Sequence, residues 1–167
     1  MSPSNYQIDS VDRAILGYLL QDSRMAFTEI AKHLLVSPGT IHQRMKKMED
    51  AGIVEKATLR MNPGLLGFDI VAFLGLHLSK GAYDHVITQL KEVDEVVEAH
   101  YTTGAYGIFM KMVCKNTAHL REVLKTKIQA IEGIEKTETM ISMEAGIDRG
   151  LSLKTLDLLT KDQYQNS

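Results

Sequence analysis

The sequence predicts an α+β chain in two parts, a helical part first and a strand-rich part after it. Three observations predict this. Apolar residues recur at 3.6-residue spacing as far as Asp50, Asn62-Pro63-Gly64 is the clearest punctuation in the chain, and beyond it apolar runs of strand character alternate with two helical stripes. The expected divisions are residues 1–62, a linker at 63–69, a second domain at 70–145 and a tail at 146–167.

In the first part, Asp9 starts a helix whose apolar stripe is Val11, Ile15, Leu16, Leu19 and Leu20, and Gln21-Asp22-Ser23-Arg24 breaks it. A shorter helix follows from near Thr28, where a cap would sit, with Ile30, Ala31 and Leu34 as its buried face. The turn Val36-Ser37-Pro38-Gly39 leads into a third helix, Ser37 being a natural N-cap and Pro38 fitting the first helical position. Ile41, Met45 and Met48 form its apolar stripe, Thr40, Gln43, Arg44 and Lys47 an opposite one, and Gly52 its stop. Two helices joined by about four residues, the second polar and basic outside, form the helix-turn-helix pattern, in which the second helix enters the major groove.

The candidate DNA-binding residues are therefore Ser37, Gly39, Thr40, His42, Gln43, Arg44, Lys46 and Lys47. Gly39 and Thr40 allow close approach, Gln43 and Arg44 carry groups that pair with base edges, and His42, Lys46 and Lys47 suit phosphate. No acid lies between Glu29 and Glu49, while Lys32, Arg44, Lys46 and Lys47 fall inside that gap. The segment Ile53–Met61 alternates and reads as a strand, the wing of a winged helix-turn-helix, which would bring Lys56 and Arg60 toward phosphate.

In the second part, Ile70–Leu78 is a nearly unbroken apolar run and reads as a central strand. Tyr83, Val86, Ile87 and Leu90 make a helix stripe. Glu95–Thr103 follows as a strand with Val97, Ala99 and Tyr101 on one face, and Gly104-Ala105 turns the chain into a strand over Tyr106–Val113. There Tyr106, Ile108, Met110 and Met112 alternate with Gly107, Phe109, Lys111 and Val113. A second helix carries Leu120, Val123, Leu124, Ile128 and Ile131 and stops at Gly133, and the last strand is Ile134–Glu144. The order β-α-β-β-α-β is the split βαβ arrangement, a four-stranded antiparallel sheet with two helices on one face. Apolar residues on both strand faces imply a second copy of the chain against the open one, and a dimer implies a palindromic DNA site. The tail carries a short amphipathic stretch around Leu153, Leu156 and Leu159.

Composition bounds the function. At 167 residues with 44% hydrophobic content the chain supports a core, and one cysteine, Cys114, excludes an internal disulfide and suits a reducing cytoplasm. No apolar run approaches the roughly 18 residues that a membrane span needs, and the N-terminus, MSPSNYQIDS, lacks a basic and apolar signal. The net charge of -2 gives no general attraction to DNA, so any such attraction must be local. No nucleophile–base spacing, metal-ligand cluster or phosphate-cradling glycine loop is recognisable, so neither catalytic residues nor metal or cofactor sites are expected. The rival class is a stand-alone ferredoxin-like amino-acid sensor or small enzyme that does not bind DNA.

The stretches IDSVDRAILGYLLQDSRMAFTEIAKHL, VSPGTIHQRMKKMEDAGIVEKATLRMNPGLLGFD, EAHYTTGAYGIFMKMVC and IQAIEGIEKTETMISM together resemble the Lrp/AsnC, or feast/famine, family of prokaryotic transcription regulators, most closely its asparagine-responsive branch. The resemblance covers residues 8 to about 145. It implies a winged helix-turn-helix joined to a ferredoxin-like domain for effector binding and oligomerisation, and dimers that assemble further into an octamer. It also implies a small amino-acid effector held between dimers by Tyr101, Thr102, Thr103, Gly104, Ala105, Tyr106 and Gly107, with Gln129 nearby. Backbone amides in a glycine-bearing turn suit a carboxylate, and a glutamine suits an amide ligand. Asparagine-responsive members carry His and Ser where Ala105 and Gly107 stand, which enlarges the pocket and leaves the choice of effector, asparagine included, open.

Overall fold

The computed structural model describes residues 6–152 and 155. The stripe expected around Leu153, Leu156 and Leu159 lies outside the described residues. The chain divides into compact units at Leu59/Arg60, the second of them spanning Arg60–Ile147.

The first unit holds α1 (Ser10–Gln21), α2 (Phe27–Leu34) and α3 (Pro38–Asp50). Asp9 caps α1 by accepting the Val11 and Asp12 amides at 2.9 Å, and Asp12 reaches back to the Asp9 amide at 3.2 Å, a reciprocal capping box. Ser37 caps α3 through the Thr40 amide at 3.1 Å, with Pro38 at the first helical position. Ile15, Ile30, Ala31, Ile41, Met45 and Met48 form the buried core.

Three expectations for this unit need correction. Leu20 is 51% exposed, because five residues beyond Ile15 place it about 140° around the helix, off the buried stripe. Thr28 is not a cap: the helix begins at Phe27 after Ala26, which offers no side-chain cap, and Phe27 packs onto the core. Ile53–Met61 forms no strand. The amides of Ile53 and Val54 bond back to the Met48 carbonyl and close the end of α3, and Asn62-Pro63-Gly64 then enters a 3-10 turn at Gly64–Leu66 rather than returning as a partner strand.

The second unit holds β1 (Ile70–Leu78), α4 (Tyr83–Leu90), β2 (Val96–Tyr101), β3 (Ile108–Cys114), α5 (Thr117–Val123) and β4 (Ile134–Ile141). The strands pair antiparallel in the order β2-β3-β1-β4, which puts the apolar β1 at an inner position as its composition requires. Ala72, Leu74 and Leu76 of β1 and Ile108, Met110, Met112 and Cys114 of β3 meet Val86, Leu90, Leu120, Val123 and Ile128 from the helical layer. A π turn over Leu124–Ile128 continues α5 and was not expected.

Two face assignments change. A bulge between Val96 and Glu98 shifts β2, so Val96 and Ala99 pack on the core while Val97 is 49% exposed. Tyr106 lies ahead of the first ladder residue of β3, and its ring swings over Gly75 on the open sheet face instead of joining Ile108 in the core. The open face also carries Phe73 and Phe109, whose rings stack at 6.0 Å, and Met140.

Candidate nucleic-acid interface and effector turn

Helix α3 separates its residues by phase. Ile41, Met45 and Met48 face the core, and Gly39, His42, Gln43, Lys46 and Lys47 are exposed. Ser37 and Thr40 share a hydroxyl contact at 2.9 Å at the leading end of the helix. Gln43 and Lys47 make no side-chain hydrogen bond or ion pair among the described residues, so both are available to an outside partner. Lys46 stands 4.0 Å from Asp50 with both side chains exposed, a pair too weak to hold it. His42 meets the Phe27 ring edge-on at 4.7 Å, which fixes the imidazole against the start of α2.

Arg44 differs from these. Its side chain is only 27% exposed, and Nη1 donates to Asp9 Oδ2 at 2.7 Å and to Asp12 Oδ1 at 2.8 Å. Asp12 is the one buried charged residue among those described, and its Oδ2 also accepts from the Tyr6 hydroxyl at 2.9 Å. Donating hydrogen bonds to the Asp12 and Asp9 carboxylates raises the Arg44 pKa, outweighing the opposing effect of burial. The Asp12 amide bond, with Arg44 beside it, lowers the Asp9 pKa. Sequence reasoning placed Arg44 with the base-reading residues; the structure places its guanidinium on α1. The signal was present, because Arg44 adjoins Ile41, Met45 and Met48 at core spacing and Asp9 and Asp12 lie three residues apart.

In the second unit, residues 102–107 join β2 to β3. The Thr102 hydroxyl donates to the Tyr106 carbonyl at 2.6 Å, the Thr102 amide to the Gly107 carbonyl at 3.3 Å, and the Gly107 amide to the Leu76 carbonyl at 2.9 Å. The exposed Thr103, Gly104 and Ala105 between these anchors make no hydrogen bond among the described residues. Three successive amides are thus left for an anionic group. Tyr101 is 68% exposed and tilts against Tyr83 at 4.6 Å.

Two of the carried-over residues stand differently from expectation. A Cβ on Gly107 would lie 3.0 Å from Leu78, so the side-chain space at 107 is already filled from the helix-covered face and adds no room to a pocket. Gln129 donates to the Thr137 hydroxyl at 3.0 Å. Thr137 pairs with Leu76, and Leu76 with Ile108, so this anchor is two strands, about 10 Å, from the start of β3. No hydrogen bond joins Gln129 to the turn among the described residues.

Sequence reasoning also missed a cluster beside the turn. The Tyr106 hydroxyl donates to Glu138 at 3.0 Å, and Glu138 also receives Lys136 at 2.7 Å and the His77 ring at 3.2 Å. Lys136, then Tyr106 and His77, hold the Glu138 carboxyl down at about 2. The His77–Glu138 part crosses from β1 to β4 and depends on register, which spacing along the chain does not reveal. Among the described residues no His/Cys/Asp/Glu group could hold a metal, and no helix is long and apolar enough to cross a membrane.

A helix-turn-helix unit followed by a sheet unit with an amide-bearing turn defines a class, the transcription regulators that couple DNA binding to a ligand-binding domain. Residues 8–55 match the winged helix-turn-helix DNA-binding family and residues 71–151 the Lrp/AsnC ligand binding domain. Regulatory protein AsnC of Escherichia coli K12 is 44% identical over 146 residues, covering 87% of this chain and 96% of that protein. The HTH-type transcriptional regulator FL11 of Pyrococcus furiosus is 34% identical over 137 residues, covering 82% and 90%. The solved structure of E. coli AsnC superposes with a TM-score of 0.83, covering 87% of this chain and 99% of that one. A Neisseria meningitidis transcriptional regulator solved in complex with L-Met, 20% identical, shares the fold at a TM-score of 0.82 over 90% of this chain and 99% of that one. The chain belongs to the Lrp/AsnC family and is a helix-turn-helix transcription regulator.

Proposed function

We propose that the chain binds DNA as a homodimer, placing the outer arc of α3 in the major groove, and that a small amino acid bound at the 102–107 turn controls this. The observation that carries the reading is the unpartnered arc itself. Among the described residues Gln43 and Lys47 make no side-chain hydrogen bond or ion pair, on a surface whose other side is the core, and the stretch between Glu29 and Glu49 has no acid. In this reading Gln43 pairs with a base edge, Gly39 and Thr40 let the backbone approach, and Ser37, His42, Lys46 and Lys47 position the helix on phosphates. The apolar open sheet face, with Phe73, Phe109 and Met140, supports self-association, and two-fold symmetry then asks for a palindromic site.

The amides of Thr103, Gly104 and Ala105, which make no hydrogen bond among the described residues, favour a carboxylate-bearing ligand, and a regulator of the same fold is known with L-Met. In this reading the turn and Gln129 that hold one ligand come from neighbouring copies, in dimers assembled into an octamer. Asparagine is one candidate among the small amino acids.

The test is binding of the full chain to a duplex selected from a random pool. Gln43→Ala should cost roughly 1–3 kcal/mol at one base-pair position and relax specificity there. Lys47→Ala should weaken all sequences alike and reduce the salt slope by about one. Absence of any salt-sensitive DNA binding would refute the proposal. A thermal-shift screen of the twenty amino acids identifies the effector as the one that raises Tm.

A further inference from the structure

Arg44 stands on α3, yet its cation is committed to α1. Nη1 lies 2.7 Å from Asp9 and 2.8 Å from Asp12, and Asp12 is buried with 1% of its side chain exposed. Asp9 and Asp12 are also the two members of the α1 capping box, and Tyr6 donates to Asp12 from the chain ahead of the helix. One guanidinium therefore ties the first turn of α1 to the middle of α3. On α3, Arg44 sits about 60–70° from the centre of the Ile41/Met45/Met48 stripe, whereas Gly39 and Gln43 lie nearly opposite that stripe. To reach a base, Arg44 would have to leave a buried carboxylate without its counter-ion, beside the negative charge of DNA.

We propose that Arg44 is a positioning residue: it locks α3 to the capped end of α1 so that the Gly39–Gln43–Lys47 arc enters the groove in one pose, and it makes no base contact of its own. This rests on the reading of α3 as the recognition helix. Its consequence is specific. A residue that reads one base loses discrimination at one base pair when removed. A residue that fixes the pose loses discrimination across the half-site, and so does removal of its partner on α1.

The experiment measures affinity of the full-length chain for a duplex that the wild type selects from a random pool, and for that duplex's single base-pair variants, across a salt series. Arg44→Ala is expected to lower affinity for the selected duplex by about tenfold or more. It should flatten discrimination at several positions together and leave the salt slope unchanged. Asp12→Asn, which alters no side chain of α3, should reproduce this pattern, and the double variant should be no worse than either single one. Gln43→Ala serves as the reference and should affect one position.

Loss of discrimination at a single base pair in Arg44→Ala, or a salt slope reduced by about one, overturns the proposal in favour of direct base or phosphate contact. Wild-type discrimination in Asp12→Asn also overturns it. If Arg44→Ala does not fold, by its circular dichroism melt, Asp12→Asn decides alone. If Gln43→Ala and Lys47→Ala both bind like wild type, the recognition-helix reading has failed, an outcome distinct from failure of the Arg44 proposal.

Discussion

Leu35 closes α2 with φ at 55° and is 93% exposed. A side chain in the left-handed region crowds the following carbonyl, at a cost of roughly 1–2 kcal/mol that glycine escapes. The exposed leucine offsets little of that cost through packing. Leu35→Gly is therefore expected to stabilise the first unit by about 1 kcal/mol, read as a higher denaturant midpoint with an unchanged slope. A lower midpoint would show that the side chain makes a stabilising contact. Residue identity alone gave part of this picture. Ser37 and Gly52 were legible as cap and stop because their chemistry acts locally, and the structure places both there, Gly52 with φ at 73°. The partners of Arg44 were less legible, because the bond to Asp9 spans 35 residues and depends on how two helices pack.

Among the elements, α3 combines two demands at one end. Ser37 is both the cap of the helix and a residue proposed to lie near phosphate, and the two roles separate by substitution. Ser37→Ala is expected to cost about 1 kcal/mol of stability through the lost cap. Ser37→Asp keeps a capping oxygen and adds a favourable charge at the helix start, so it should hold stability yet weaken DNA binding through repulsion from phosphate. Melting curves and duplex titrations on the two variants check this. If Ser37→Asp binds DNA as tightly as wild type, the leading end of α3 does not approach phosphate.

The strands and helices were readable from periodicity wherever an element buries one clear stripe. Reading failed where one extra residue intervened. The bulge at Val96/Glu98 flips part of β2, and the π turn after α5 keeps Val123 and Ile128 inward at a spacing of five. Val123, Leu124 and Ile128 fit both helical spacings, so their sequence cannot distinguish them. Ile53–Met61 illustrates another limit, since strand character in a sequence says nothing about whether a partner strand exists.

At the scale of the whole molecule, charge placement predicts a pH response. Glu138 is held down to about 2 by Lys136, Tyr106 and His77, against an ordinary value of 4.5. A carboxylate with a depressed folded-state pKa contributes stability above its ordinary value and loses it as pH falls toward the folded one. Melting of the second unit should accordingly respond to this site only between about pH 4.5 and 2, where stability falls as Glu138 protonates. Glu138→Gln should remove that part of the acid sensitivity, and an unaltered acid profile in the variant would show that the cluster contributes nothing to it. Tyr106 works in the opposite sense. Its hydroxyl bond to Glu138 raises the phenol pKa, so the contribution is present at neutral pH and is lost only at strongly alkaline pH.

The seating of Tyr106 has a further consequence. A methyl group on Gly75 would fall 2.4 Å from the Tyr106 ring, so the ring occupies a notch that only glycine leaves open. Positions 75 and 106 are therefore coupled by sterics, though 31 residues apart in the chain. A lineage can enlarge position 75 only after shrinking or displacing the aromatic ring, and in doing so it gives up the hydroxyl that reaches Glu138 on β4. A smaller residue at 106 is sterically compatible with glycine at 75, whereas a bulky residue at both positions is closed by sterics.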